Sequence, residues 1–164
     1  MITLALLTTI RHSRAIFTST RSDKRQGFDN KLAYMLVSKN ILPIQEYSLA
    51  FGNFQFFTDY VSCDIFEGED LDTEKLLQFY ALCSDFFQGQ RYAVIELRLS
   101  SYSTDPSFYI KYSDLLSQVK AQAMVVANTV LAQINEYEAM CIRHCPCRAF
   151  HTVGDAIDWA KQQA

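Results

Sequence analysis

No stretch of this chain is apolar for long enough to cross a bilayer, which takes about 20 residues. It has no Gly-rich phosphate loop and no Gly-x-Ser-x-Gly elbow, so two common nucleotide-binding and hydrolase signatures are missing. It has no internal repeat and no low-complexity segment. The five cysteines are an odd number, and three of them crowd between Cys141 and Cys147. That is not the even framework of a disulfide-stapled secreted domain, and it fits a reducing, cytoplasmic compartment.

What is present suits one globular domain. The 164 residues are 49% hydrophobic and 20% charged, enough to bury a core and too apolar for a disordered chain. The net charge of -3 hides an asymmetry. Residues 1–31 carry six basic and two acidic side chains, for +4, and the rest of the chain carries -7. An acidic body argues against nucleic acid as a partner, because duplex binding rests on neutralising phosphates.

Residues 1–40 are expected to be a poorly structured extension. Met1 to Ile10 is apolar and is followed by Arg11 and Arg14, with no acid before Asp23. A secretory signal places its positive charge first, so that reading fails. A start upstream of the natural one, with Met35 as the ordinary beginning, ranks ahead of a mitochondrial-type targeting segment, and a folded subdomain ranks last.

From residue 45 onward the pattern is that of an α/β domain. Phe54–Phe57 and Tyr60–Phe66 read as a hairpin turning near Thr58-Asp59, with Val61, Cys63 and Ile65 alternating with Ser62 and Asp64. Residues 40–50 are transitional, and Gly52-Asn53 punctuates. Asp72 is a helix cap with Glu74 in the first turn. Leu76, Tyr80, Cys83 and Phe87 form the core stripe of that helix, and Gly89 is its stop. Tyr92 to Leu97 is a short β-branched run suited to a strand covered on both faces.

Asp105-Pro106 then opens a helix expected to carry Phe108, Tyr112, Leu115, Leu116 and Val119 on one face. Ala121 to Ala127 is a second buried strand. A third helix carries Val130, Ile134, Tyr137 and Cys141. Cys147 to His151 is a last strand, and Thr152 to Asp155 caps a last helix that turns Ala156, Ile157 and Ala160 inward. The fold class is α/β, a mixed sheet with an N-terminal hairpin followed by alternating helices and strands (ββαβαβα).

The stretch with most to offer function is the loop after Tyr92–Leu97. Ser100, Ser101, Ser103 and Thr104 surround Tyr102, at the C-terminal end of a strand and just ahead of a helix. Ligands and partners of open α/β sheets gather there. The same hydroxyls also serve to satisfy backbone groups in a tight connection.

Other constellations are weaker. Cys141, His144, Cys145 and Cys147 are soft ligands for zinc, but they form one cluster where structural zinc sites use two separated pairs. No metal and no cofactor is expected. A redox role for Cys145 and Cys147 would need an exposed, low-pKa thiolate. The acids from Asp64 to Glu74 lack the ligand spacing of a calcium loop and read as a solvated strand end and helix cap. Glu96 and Arg98 interrupt the central strand. Glu96 has no His or second acid nearby in sequence, so a structural role is expected for it. Phe56, Phe57 and Tyr60 are candidates for an exposed patch on the hairpin, suited to a partner or a homodimer.

This order of elements resembles the STAS fold. The buried Ala93-Val-Ile-Glu-Leu97, the hydroxyl loop, Ala123-Met-Val-Val-Ala127, and the closing Ala156 and Trp159 are similar more narrowly to the SpoIIAA-like group of small bacterial proteins. The resemblance covers about residues 51–164 and places the domain at 45–164. It implies a non-enzymatic regulatory module that binds a protein partner; the acidic body and the lack of a long apolar run leave no nucleic acid and no membrane as expected partners. In STAS-type antagonists an Asp-Ser-Ser-Gly loop before the second helix is phosphorylated to block partner binding. Here Ser103-Thr104-Asp105-Pro106-Ser107 stands in that place without that order. The location alone is carried over, with Ser103, Thr104, Asp105 and Ser107 as the interaction or phosphorylation loop. The rivals are a small-ligand or lipid-binding domain and a Cys-based redox or metal-responsive protein.

Overall fold

A computed structural model describes residues 42–126 and 138–163. Six strands form one mixed sheet. In chain order they are β1 (Gln45–Leu49), β2 (Gly52–Phe56), β3 (Tyr60–Ile65), β5 (Tyr92–Arg98), β7 (Val119–Val126) and β8 (Cys147–Phe150), and they lie side by side in that same order. The first three are an antiparallel meander, and β3, β5, β7 and β8 run parallel. Two-residue strands β4 (Asp70–Leu71) and β6 (Ser103–Thr104) pair into a separate small ribbon. The helices are α1 (Thr73–Phe87), α2 (Ser107–Lys111) and α3 (Val153–Lys161), and residues 138–141 are also helical. The architecture is α/β with a mixed sheet, and its element order is longer than ββαβαβα.

The hairpin turns where expected, with the Phe57 N–H donating to the Tyr60 carbonyl at 2.9 Å. Its first strand begins earlier, because Gly52 is part of the ladder rather than a break. A Cβ at Gly52 would sit 2.8 Å from the Asp64 carbonyl oxygen, so the two backbones approach this closely only with glycine there. Strand β1 lies within residues 40–50, where the sequence leaves a short strand or a short helix open. It is a sheet edge, with Gln45, Glu46 and Ser48 exposed, the polar dressing that keeps an edge from pairing with other chains. Phe56, Phe57 and Tyr60 do not form an exposed patch. All three are buried, since the β2–β3 hairpin lies between β1 and β5, with Phe56 in the core on one side of the sheet and Phe57 and Tyr60 in the core on the other.

Helix α1 follows its sequence signals. Asp72 accepts from the Lys75 N–H at 2.9 Å, the buried stripe is Leu76, Phe79, Tyr80, Cys83 and Phe87, and the chain turns left-handed at Gln88 (φ 47°) and Gly89 (φ 89°). Helix α3 is capped by Thr152, whose hydroxyl accepts from the Asp155 N–H at 3.1 Å while donating to the Asp155 carboxylate at 2.7 Å. Ala156, Ile157 and Ala160 are buried beneath it.

Helix α2 is shorter than its spacing promised. It ends at Lys111, and residues 112–118 continue as turns; Leu115, Leu116, Ser117 and Val119 each donate to the carbonyl three residues back. Phe108 and Leu116 are buried, Leu115 is exposed, and Val119 already belongs to β7. Ser113, Asp114 and Ser117 favour local turns over a helix interior. The expected residues Ala127, Val130, Ile134 and Tyr137, and the whole extension 1–40, lie outside the described residues.

The sheet thus has two unlike sides. Helices α1 and α2 cover a cluster rich in aromatics, among them Phe54, Phe56, Phe79, Tyr80, Phe108 and Tyr109. Helix α3 covers a cluster of Ala93, Ile95, Leu97, Ala121, Ala123 and Val125. Strand β5 lies at the centre with all seven residues buried.

Candidate functional site

Strand geometry puts Tyr92, Val94, Glu96 and Arg98 on one face of β5, because successive side chains alternate. Tyr92 and Val94 join the aromatic cluster. Glu96 and Arg98 carry the row on to the C-terminal end of the strand, where charge enters the core. Arg98 Nε donates to Glu96 Oε2 at 3.2 Å, and Nη2 donates to the same oxygen at 3.3 Å. The other side of the guanidinium meets Glu138, with Nη1 donating to Oε1 at 3.2 Å and Nη2 donating to Oε2. Arg98 is 3% exposed, Glu138 5% and Glu96 8%.

Three neighbours complete the cluster. Gln122 on β7 donates its amide to Glu96 Oε1 and reaches the Tyr109 hydroxyl at 3.4 Å. The Tyr102 hydroxyl donates to Glu96 Oε2 at 3.4 Å, and its ring lies 4.5 Å from the guanidinium carbon. Burial works against the charge of Arg98, but the acids beside it more than offset this and its pKa is raised. Burial pushes the Glu138 carboxyl up to about 7 despite the lowering pull of Arg98, with Glu96 adding to the rise. The phenols of Tyr102 and Tyr109 are pushed well up, first by burial and next by Glu96.

Beside Glu96 lies a cavity of about 20 Å³, walled by Phe54, Leu71, Phe79, Tyr80, Tyr102 and Tyr109. That is room for about one water. Among the described residues the charged groups beside it are buried.

The hydroxyl loop runs just outside this cluster. Ser100 Oγ donates to the Ile65 carbonyl at 2.6 Å, joining the ends of β5 and β3. Gly68 and Ser103 donate their N–H groups to the carbonyls of Ser101 (2.7 Å) and Glu69 (3.0 Å), which forms the β4–β6 ribbon. Ser103 is exposed, and its hydroxyl donates to Asp70 Oδ1 at 2.7 Å. Lys75 steadies the same corner, donating to Glu69 Oε2 at 3.0 Å and to the Asp70 carbonyl at 2.7 Å. Thr104 turns inward and its buried hydroxyl has no hydrogen-bond partner. Asp105 is exposed and accepts from the Ser107 N–H at 3.0 Å. Asp105 is not the helix cap: Pro106 occupies that position without a side-chain cap bond, and the helix starts one residue later than expected. Ser107 is exposed.

The C-terminal cysteines are arranged differently from a site. Cys141, Cys145 and Cys147 are each half-buried. Burial pushes the Cys145 thiol up to about 12 and raises that of Cys147 as well, away from the thiolate form. His144 stacks near Tyr109 with ring centres 6.3 Å apart, and burial lowers its pKa. Among the described residues no group of three or more His, Cys, Asp or Glu side chains comes together to hold a metal ion.

Glu138, Gln122 and Tyr109 are the site residues that sequence reasoning missed. The signal was Glu96 and Arg98 themselves. Two charged residues on one face of an otherwise apolar, doubly covered strand demand a counter-charge from elsewhere. The second acid lies 40 residues further along the chain, beyond any local pattern. Comparison of the chain with protein-family models, with curated proteins and with solved structures finds no match.

Proposed function

We propose that this chain is a STAS-like, non-enzymatic regulatory module that binds a protein partner in the cytoplasm through the surface at the C-terminal ends of β3 and β5, and that Ser103 is its switch. The fold supports this reading through its order, an antiparallel start followed by parallel strands with connecting helices and a last helix on the opposite face. Glu96, Arg98 and Glu138 are buried and paired with one another, which suits a structural role for them.

The observation that carries the switch is the bond from the exposed Ser103 hydroxyl to Asp70. A phosphate on Ser103 removes that donor and sets roughly two negative charges against the Asp70 carboxylate. Glu69, beside Asp70 in this corner, is paired with Lys75 at 3.0 Å. The ribbon has two residues on each strand and is otherwise held by backbone bonds and by Lys75. Phosphorylation then reshapes the partner surface by repulsion rather than by a new bond.

The test is phosphosite mapping and crosslinking of the protein in its own cell, followed by partner binding by Ser103→Ala and Ser103→Asp chains. Phosphate on Ser103, with binding kept by the alanine chain and lost by the aspartate chain, supports the reading. An unmodified loop with equal binding by both chains refutes it.

A further inference from the structure

Two carboxylates and one guanidinium meet with little exposure to solvent. With all three ionised the cluster carries a net charge of -1. Low-dielectric surroundings penalise an unbalanced charge heavily, and a proton is the least costly way to remove it. The two acids are not equivalent. Glu96 accepts from Arg98, Gln122 and Tyr102, whereas the donors to Glu138 come from Arg98.

We propose that Glu96, Arg98 and Glu138 form a buried proton-binding site that holds one proton, mainly on Glu138, and links the docking of helical residues 138–141 onto β5 to pH near neutrality. The groups facing Glu138 are consistent with this assignment. Strand β5 presents Glu96 and Arg98, the following loop Tyr102, helix α2 Tyr109, and strand β8 Cys147. The phenols and the thiol are raised by burial and are neutral at pH 7, and His144 beside Tyr109 is lowered by burial and is neutral as well. Among the described residues, Arg98 and Glu96 therefore set the charge balance at Glu138.

The sign follows from linkage. The folded cluster keeps its proton up to about pH 7, whereas an unfolded glutamate loses it near pH 4.5, so the native state is favoured at acid pH and gives up this advantage as pH rises toward neutrality. Above that range the cluster is charged and its hold on residues 138–141 is weaker. Proton release there would loosen the end of the helix that reaches Arg98.

Carbon-13 NMR titration of the glutamate side chains tests the site directly. Glu138 should titrate near pH 7 in the unaltered chain, and Glu96→Gln should lower that value by at least about one unit by removing the neighbouring charge. Urea titrations give a second reading. Relative to Glu138→Gln, the unfolding constant of the unaltered chain should rise about fortyfold between pH 5 and pH 7. Glu138 titrating in the ordinary carboxylate range, or a stability difference from Glu138→Gln that does not change with pH, overturns the proposal even if the Glu96 variant fails to fold.

Discussion

The two faces of β5 share one backbone and differ in how they are stabilised. Toward α3 the strand presents Ala93, Ile95 and Leu97, apolar throughout and packed against Ala156, Ile157 and Ala160. Toward α1 and α2 it presents Tyr92 and Val94 and then changes to Glu96 and Arg98. The first face holds by shape and area, so its strength is indifferent to pH and to any one distant residue. The second holds only while a guanidinium and two carboxylates from separate parts of the chain stay together. A charged end on a central strand costs stability unless it is fully paired, and it fixes which helix must come to it.

The largest effect should come from breaking the charged face at its centre. Arg98→Met leaves two buried carboxylates facing each other and should cost about 3–5 kcal/mol in urea unfolding. The cost should shrink at pH 5, where the acids can take up protons. Leu97→Ala, one residue away on the opposite face, should cost about 3 kcal/mol by leaving a cavity, with the same cost at pH 5 and pH 7. A pH-dependent loss from Leu97→Ala would erase the distinction between the faces. Thr152→Ala, which removes the cap of α3, should cost about 1 kcal/mol on the apolar side. Ser103→Ala should cost least, about 0.5 kcal/mol globally, while hydrogen exchange at the ribbon amides of Ser103 and Asp105 speeds up.

The apolar face was legible in the sequence because its information is local. The short apolar run Tyr92–Leu97, the Thr152–Asp155 cap, and Ala156, Ile157 and Ala160 at helical spacing each act over a few residues. Helix α1 was legible for the same reason, through Asp72 and a regular stripe. Strand β1 was not, since a polar edge strand of five residues carries little hydrophobic signal. Strands β4 and β6 have two residues apiece, too few for any period. Beyond α2 the apolar spacing was helical, but the residues between favoured turns, and Leu115 stayed in solvent. The loop around Ser103 was placed correctly at the end of β5, but its bond to Asp70, 33 residues earlier, was not. The charged cluster was half visible, with Glu96 and Arg98 conspicuous and Glu138 hidden by distance along the chain.

A double-mutant cycle between Arg98→Met and Glu138→Gln, followed by urea unfolding at pH 7.5, tests most directly whether the charged end of β5 is held by a residue 40 positions away. Residues in one buried network couple by about 0.5–3 kcal/mol. The expected result is a coupling of about 2 kcal/mol, with the double variant more stable than the two single losses would sum to. Strict additivity would mean that the two groups do not share a bond in solution, and it would contradict the account of the central strand given above.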